Sequence, residues 1–232
     1  MDISARVTVL ERVPLFNGLK PEEREAVARE AHERPLKKGD VLFQQGEEAA
    51  HNYVLGWGRV RLDQTTPDGQ NVVLRFMGPG DLIGTVAVLR RMPFPATPTA
   101  IEDSMLLAWS AGRTADLMTR YPTIALNAIN VIGGRVEELQ ARLREVATQR
   151  VERRIASTLL RMVRQSGRRV DAGVEIPFVI SRNELAEMTA TTLHTVSRTL
   201  AAWEQEGILT GKRTAHLVIT QPHRLVEIAE QA

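Results

Sequence analysis

Residues 180–209 read ISRNELAEMTATTLHTVSRTLAAWEQEGIL, and this stretch decides the architecture of the C-terminal part of the chain. Ser181 and Glu184 form an S-x-x-E capping box, in which the serine side chain accepts from the Glu184 amide and the glutamate accepts from the Ser181 amide. A helix therefore starts at Arg182, with Leu185, Ala186 and Met188 inward. The run Thr189-Ala190-Thr191-Thr192 is rich in hydroxyls and β-branched side chains. It breaks that helix and offers Thr191 or Thr192 as a new N-cap. A second helix is predicted up to Glu206. Its apolar stripe is Val196, Leu200 and Trp203 at i, i+4 and i+7, and Gly207 stands where a left-handed C-cap belongs. Two helices joined by so short a turn form a helix-turn-helix of the DNA-binding kind, the second free to enter a major groove.

Working outward, residues 208–209, a turn at Gly211-Lys212-Arg213-Thr214 and a strand over 215–219 read as a hairpin wing with two cations at its tip, where phosphates would pass. Pro222 then opens a closing helix with Leu225, Val226 and Ile228 inward. On the other side, residues 151–165 form an amphipathic helix (Val151, Ile155, Leu159, Met162) ended by Gly167, and residues 173–178 form a short strand.

Further upstream, Ala125, Ile129, Ile132, Val136, Leu139, Leu143 and Val146 are spaced 4, 3, 4, 3, 4, 3, an a/d seam flanked by charge. So narrow a seam suits a paired helix; the alternative is a surface helix packed on its own domain. Gly133-Gly134 lies in mid-helix and costs about 1 kcal/mol per glycine against alanine, which points to close helix approach or a weak point.

Over residues 33–109 the period falls to two. Val41/Phe43, Val60/Leu62, Val73 and Met105/Leu107/Trp109 alternate or cluster between turn signals such as Lys38-Gly39-Asp40, Gly46, Pro67-Asp68-Gly69 and Gly78-Pro79-Gly80-Asp81. Many short strands at this spacing make a compact antiparallel barrel or roll. Residues 19–31 precede it as a short helix with Pro21, Glu22 and Glu23 in its first turn. The fold class is α+β: an N-terminal antiparallel β-roll, a long dimerisation helix and a C-terminal winged helix-turn-helix, with boundaries at 1–120, 121–149 and 150–232.

The chain has 232 residues, 43% of them apolar, enough for two cores. Its net charge is +2, but from Arg150 onward 12 Lys and Arg face 9 Asp and Glu, so the positive excess sits beside the helix-turn-helix, on the side of nucleic acid. The absence of cysteine excludes disulfides and a thiolate-held iron–sulfur cluster. No apolar run approaches the roughly 20 residues of a membrane span, so a cytoplasmic protein with no membrane partner is expected. Gly78-x-Gly80-x-x-x-Gly84 has the wrong spacing for a dinucleotide fingerprint and precedes strand-like residues rather than a long helix. Glu102 and Asp103 are neighbours and on a strand would face opposite ways. With no Ser/His/Asp grouping and no metal-ligand spacing, an enzyme reading is rejected.

Val13-Pro14-Leu15-Phe16, Lys38-Gly39-Asp40 with Gly46, Gly80-Asp81-Leu82-Ile83-Gly84 and Thr195-Val196-Ser197-Arg198, in this order of parts, resemble the Crp–Fnr family of bacterial transcription regulators. The resemblance covers nearly the whole chain. It implies a homodimer with an effector-sensing roll, a double-stranded DNA partner with a two-fold-symmetric site, and RNA polymerase as a further partner. It also implies an effector pocket around Gly84, Thr85, Val86, Pro95, Ala96 and Thr97. Cyclic-nucleotide-binding members carry a glutamate after the Gly84 position and an Arg-Ser/Thr pair about ten residues on. Thr85 and Pro95-Ala96 stand there instead, so the charged contacts to ribose and cyclic phosphate are lost and cyclic AMP in the usual mode is not expected. Arg90 and Arg91 are near enough to substitute, although paired arginines in a turn are more often solvated. Haem is the remaining common cofactor, with His32, His51 and Met92 as candidate ligands, each in a context where a plain surface residue is the simpler reading.

If Thr192 caps the second helix, Leu193, His194, Ser197 and Arg198 occupy the turns that reach base edges. Arg198 suits guanine O6 and N7; the competing reading is a phosphate contact. His194 stands where much of the family has glutamate, and Leu193 offers only apolar contact. Ala190 replaces the glycine usual in this turn, at a cost if φ is positive. Arg182, Thr191, Thr192, Lys212 and Arg213 are assigned to phosphates. Ile129, Ile132, Val136, Leu139, Leu143 and Val146 are assigned to the dimer. The alternative function is a sensory module whose C-terminal domain contacts protein rather than DNA.

Overall fold

A computed structural model describes residues 1–211 and 216–230. The chain divides into two compact units, Met1–Glu138 and Leu139–Ala232. In the first unit, α1 (Ile3–Leu10) and α2 (Pro21–Arg29) precede the strands β1 (His32–Leu36), β2 (His51–Trp57), β3 (Val60–Thr65), β4 (Asn71–Met77) and β5 (Leu82–Ile83). Then come α3 (Thr85–Arg90), β6 (Thr97–Ala100), β7 (Ser104–Ser110), α4 (Ala111–Arg120) and the long α5 (Pro122–Thr148), which runs on into the second unit. The strands form two antiparallel sheets, ordered β1-β7-β2-β5 and β4-β3-β6, and close the expected roll.

The β2–β7 pair is the wall between two cores. Leu55 and Leu106 turn into the roll with Leu36, Phe43, Met77 and Phe94, whereas Val54, Leu107 and Trp109 turn outward into a helical layer with Leu10, Phe16, Val27, Leu117 and Ile124. Both faces of β7 are therefore buried, and this central strand reads as a continuous apolar run rather than as an alternation. Trp109 anchors the helical layer by donating its indole N–H to the Val27 carbonyl at 3.1 Å.

Some expectations need correction. Leu42 and Phe43 are buried and Val41 is exposed, because these residues form a loop with one isolated bridge rather than an alternating strand. Glu102 and Asp103 sit in a bend between β6 and β7, where Asp103 binds Lys37 and the Lys38 amide while Glu102 faces Arg59. The chain after Gly84 opens a helix, α3: Gly84 at φ +77° turns it off the sheet and Thr85, Ala87 and Val88 bury one side. Two short helices, α1 and α4, were not expected. α1 is capped by Asp2, which accepts from the Ala5 amide at 2.7 Å, and α4 by Ser110, which accepts from Arg113 at 3.2 Å.

In the second unit, α6 (Val151–Ser166) leads to the hairpin β8 (Arg168–Val170) and β9 (Gly173–Ile176), then α7 (Arg182–Met188), α8 (Leu193–Gln205), β10 (Leu209–Thr210), β11 (Leu217–Ile219) and α9 (Pro222–Glu230). The sheet order is β10-β11-β9-β8, all antiparallel. β8 was not legible, since Arg168-Arg169-Val170 carries almost no apolar signal. Ile155, Leu159, Ile176, Leu185, Leu200 and Leu225 make this core, but Val226 of α9 faces outward because Leu225 already fills the inward position.

Gly58 at φ +93° lets the β2–β3 connection cross the start of β7; a Cβ there would lie 2.2 Å from the Ser104 hydroxyl and 2.6 Å from the Asp103 carbonyl. Gly58→Ala should lower unfolding stability by about 3 kcal/mol, combining left-handed strain with a backbone clash. Chemical denaturation checks this, and a loss under about 1 kcal/mol would show that the turn relaxes freely.

Candidate nucleic-acid interface and effector cavity

The start of α7 is built as its sequence requires: Glu184 donates its amide to the Ser181 hydroxyl at 3.1 Å, and the Glu184 carboxylate accepts from the Ser181 amide at 2.7 Å. α7 stops where Thr189 turns its hydroxyl back to the Leu185 carbonyl at 2.6 Å, and the Thr191 amide reaches Ala186. Thr192, not Thr191, caps α8 by accepting from the Thr195 amide at 3.2 Å. From that start the 3.6-residue period sorts the side chains. Val196, Thr199, Leu200 and Trp203 are buried, while Thr192, Leu193, His194 and Arg198 are exposed along one face and Ser197 is half-buried beside them. Leu193 is 43% exposed, unusual for a leucine at a helix N-terminus without a partner surface. Arg182 is less free than expected, with its guanidinium 3.8 Å from Glu204 of α8. Thr191 is half-buried in the turn. Lys212 and Arg213, assigned to phosphates, lie outside the described residues.

In the first unit, Gly84, Thr85, Val86, Pro95 and Ala96 line one cavity of about 130 Å³, together with Phe43, Met77 and Phe94. A Cβ on Gly84 would meet the Phe94 ring at 2.7 Å, so glycine is needed for the ring to close the cavity against Phe43, with which it stacks at 3.5 Å. Thr97 is not among these residues; its hydroxyl accepts from the Gln45 amide at 2.9 Å beside a separate open groove. Two lining residues, Val131 and Arg135, come from α5 and were missed. Their signal was a second stripe on that helix: buried Ile124 and Ala128 continue at the same period through Val131 and Arg135, off the a/d seam. The lining is mostly apolar. Arg135, bonded to Glu138 at 2.9 Å, is its cation, and the buried Thr85 hydroxyl has no hydrogen-bond partner among the described residues. Arg90 and Arg91 are exposed and do not line the cavity. Neither do His32, His51 or Met92: the histidines are exposed, and Met92 packs on the core of the roll. Among the described residues no group of three or more His, Asp or Glu could hold a metal ion, and no helix is long and apolar enough to cross a membrane.

Residues 33–121 match the cyclic nucleotide-binding domain, and residues 153–228 match the Crp-like helix-turn-helix domain. Over 196 residues the chain is 33% identical to the cyclic AMP receptor protein of Thermus thermophilus, spanning 84% of this chain and 88% of that one. The chain belongs to the Crp–Fnr family. Its members that match here are transcription regulators with a DNA-binding helix-turn-helix, not enzymes. The crystal structure of the Thermus thermophilus catabolite activator protein is 32% identical, with a TM-score of 0.55 over 93% of this chain and 98% of that chain. FixK2 from Bradyrhizobium japonicum, at 23% identity, shares the fold with a TM-score of 0.74 over 87% of this chain and 98% of that one.

Within this Crp–Fnr roll, the Gly80-Asp81 turn places a carboxylate against α5. Asp81 accepts from the Gly78 amide at 2.8 Å and lies 3.3 Å from Arg75, which is itself 4.0 Å from Glu138. Burial pushes the Asp81 carboxyl up to about 6; the Gly78 amide opposes the shift, the Glu138 charge reinforces it and Arg59 opposes it. The folded value exceeds the ordinary 3.8, so the folded chain holds the extra proton between the two. The stability this group contributes is therefore complete below about pH 4 and lost as pH rises through about 6. Asp81→Asn keeps an acceptor for Gly78 and removes the charge. Its melting temperature relative to the parent should rise by about 3 °C between about pH 4.5 and pH 7.5. A gap that shrinks with pH in thermal scans would contradict the buried-carboxylate reading.

Proposed function

We propose that this Crp–Fnr member acts as a homodimer that reads a two-fold-symmetric site in double-stranded DNA and contacts RNA polymerase, under control of a small effector held by the roll. The observation that carries the reading is the division of α8: a buried stripe holds it to its domain, while Leu193, His194 and Arg198 project from its first turns with Ser197 beside them. That is the part of such a helix that meets base edges. Arg198, exposed and at the second turn, is assigned to a guanine. Thr191, Thr192, Arg182, Lys212 and Arg213 are assigned to phosphates, with Arg182 sharing its charge with Glu204.

Support for the dimer comes from α5, where Ile129, Leu139 and Leu143 are 66%, 64% and 70% exposed and Val136 and Val146 accompany them. An apolar stripe of this length against water is unfavourable by roughly 25 cal/mol per Å², and a second copy of the same seam removes that cost. Ile132, half-buried within the chain, belongs to the same seam.

The Thermus thermophilus relative is named for cyclic AMP. Here Thr85 and Pro95-Ala96 supply neither the carboxylate nor the cation that such a ligand needs, and the cavity is mainly apolar. The effector is therefore assigned to another chemical class. Exposed Leu193 is the one observation on the side of a protein-contacting module, and a mobility shift with a dyad-symmetric duplex separates the two readings.

Arg198→Ala should cut discrimination between a selected site and random duplex by about 1–3 kcal/mol and leave weak, salt-sensitive binding. Unchanged discrimination in competition binding would remove Arg198 from base readout. Leu139→Asp puts a carboxylate into the seam and should yield monomer in sedimentation velocity at micromolar concentration; an intact dimer would refute pairing through α5.

A further inference from the structure

Arg154, half-buried on α6, donates to three main-chain carbonyls at once. Its Nε reaches Thr189 at 2.9 Å, its Nη2 reaches Ala190 at 3.0 Å and its Nη1 reaches Gln149 at 2.9 Å. Thr189 and Ala190 form the turn between α7 and α8, and Gln149 follows the last residue of α5. Ala190 adopts φ +49°, a left-handed conformation that the family's usual glycine takes freely and that crowds an alanine Cβ. The other bonds that end α7, from the Thr189 hydroxyl to Leu185 and from the Thr191 amide to Ala186, do not involve the carbonyls of 189 and 190. Those carbonyls stand at the negative end of α7, without the intrahelical donors that a continuing helix would provide. A planar guanidinium fixed on a third helix can take both in one fork and keep a further N–H for the end of α5.

We propose that Arg154 is a positioning residue for DNA reading: without touching DNA, it holds the strained turn that aims α8 and ties that turn to the end of the pairing helix. The proposal rests on α8 being the reading helix. It also accounts for the tolerance of alanine at 190, since the bonds of Arg154 to both turn carbonyls favour the bend that glycine would adopt unaided.

The test uses the full-length protein, the duplex it selects from a randomised library, and a random duplex of equal length, over a range of salt concentrations. Arg154→Met keeps much of the apolar stem and removes every donor. The ratio of selected to random affinity should fall about tenfold, as expected when a left-handed alanine loses its support. The salt slope on random duplex should stay unchanged, because no phosphate contact is lost. Adding Ala190→Gly to Arg154→Met should recover most of the ratio, whereas Ala190→Gly alone should alter it less than about twofold. A ratio preserved in Arg154→Met overturns the proposal. So does a slope lower by about 1, which would make Arg154 a phosphate contact. So, too, does failure of Ala190→Gly to restore the ratio. If Arg154→Met does not fold, the double variant must; its failure would show a general packing role and overturn the proposal as well. Arg198→Ala, run alongside, keeps the two assignments distinguishable. If it loses the ratio while Arg154→Met keeps it, only the positioning role falls; if it keeps the ratio while Arg154→Met loses it, only the Arg198 assignment falls; if neither variant lowers the ratio, both fall.

Discussion

Much of this chain depends on α5, a helix whose apolar residues exceed what its own fold can cover. Ile124 and Ala128 are buried in the helical layer, and Val131 and Arg135 line the cavity, so one face is spent within the first unit. The a/d seam lies on another face and stays exposed, since a cylinder cannot turn both stripes to one surface. The proposed dimer follows from that geometry. The helix that offers the seam also supplies part of the cavity wall, which supports the proposed effector reading. Gly133-Gly134 falls within this double-duty stretch, where two successive residues lack side chains and helix propensity is weakest.

The second unit solves a different problem, that of turning a chain sharply between two helices when the turn has an alanine in place of glycine. Thr189 ends α7 with its own hydroxyl, Thr192 starts α8 with its own, and Ala190 between them bends left-handed. The carbonyls released by that bend are taken up by a side chain 35 and 36 residues earlier in the chain. Local capping and a long-range fork thus share the work of aiming the helix, and backbone strain is kept where orientation matters most.

How far these features could be read in advance differs by element. The capping box, the left-handed glycine at 207 just past the C-cap of α8, the stripe of α8 and the seam of α5 were legible because each depends on residues within a few positions of one another. α1 and β8 were not, since ISARVTVL and RRV carry little periodic signal and are held by what packs against them, whereas AGRTADLMTR of α4 does carry an amphipathic stripe, with Thr114 and Leu117 inward, that was overlooked. The doubled burial of β7 was hidden for a similar reason: a strand that divides two cores shows no alternation. In the candidate effector cavity, Gly84 to Val86 and Pro95-Ala96 came together, but Thr97 lines another groove and α5 contributed Val131 and Arg135.

What the sequence by itself determined is the order of parts, the ends of the two helices of the helix-turn-helix, the exposed a/d seam, and, through the family resemblance, the lack of the charged groups expected to hold a cyclic nucleotide. These are set by short-range periodicity, capping chemistry and the presence or absence of particular side chains. Only the tertiary structure decided which residues share a site: Arg154 with the turn at Thr189-Ala190, Arg182 with Glu204, Asp81 with Arg75, and α5 with the cavity wall. Contacts between residues tens of positions apart depend on how helices and sheets pack, and packing is a property of the whole core that no local pattern carries.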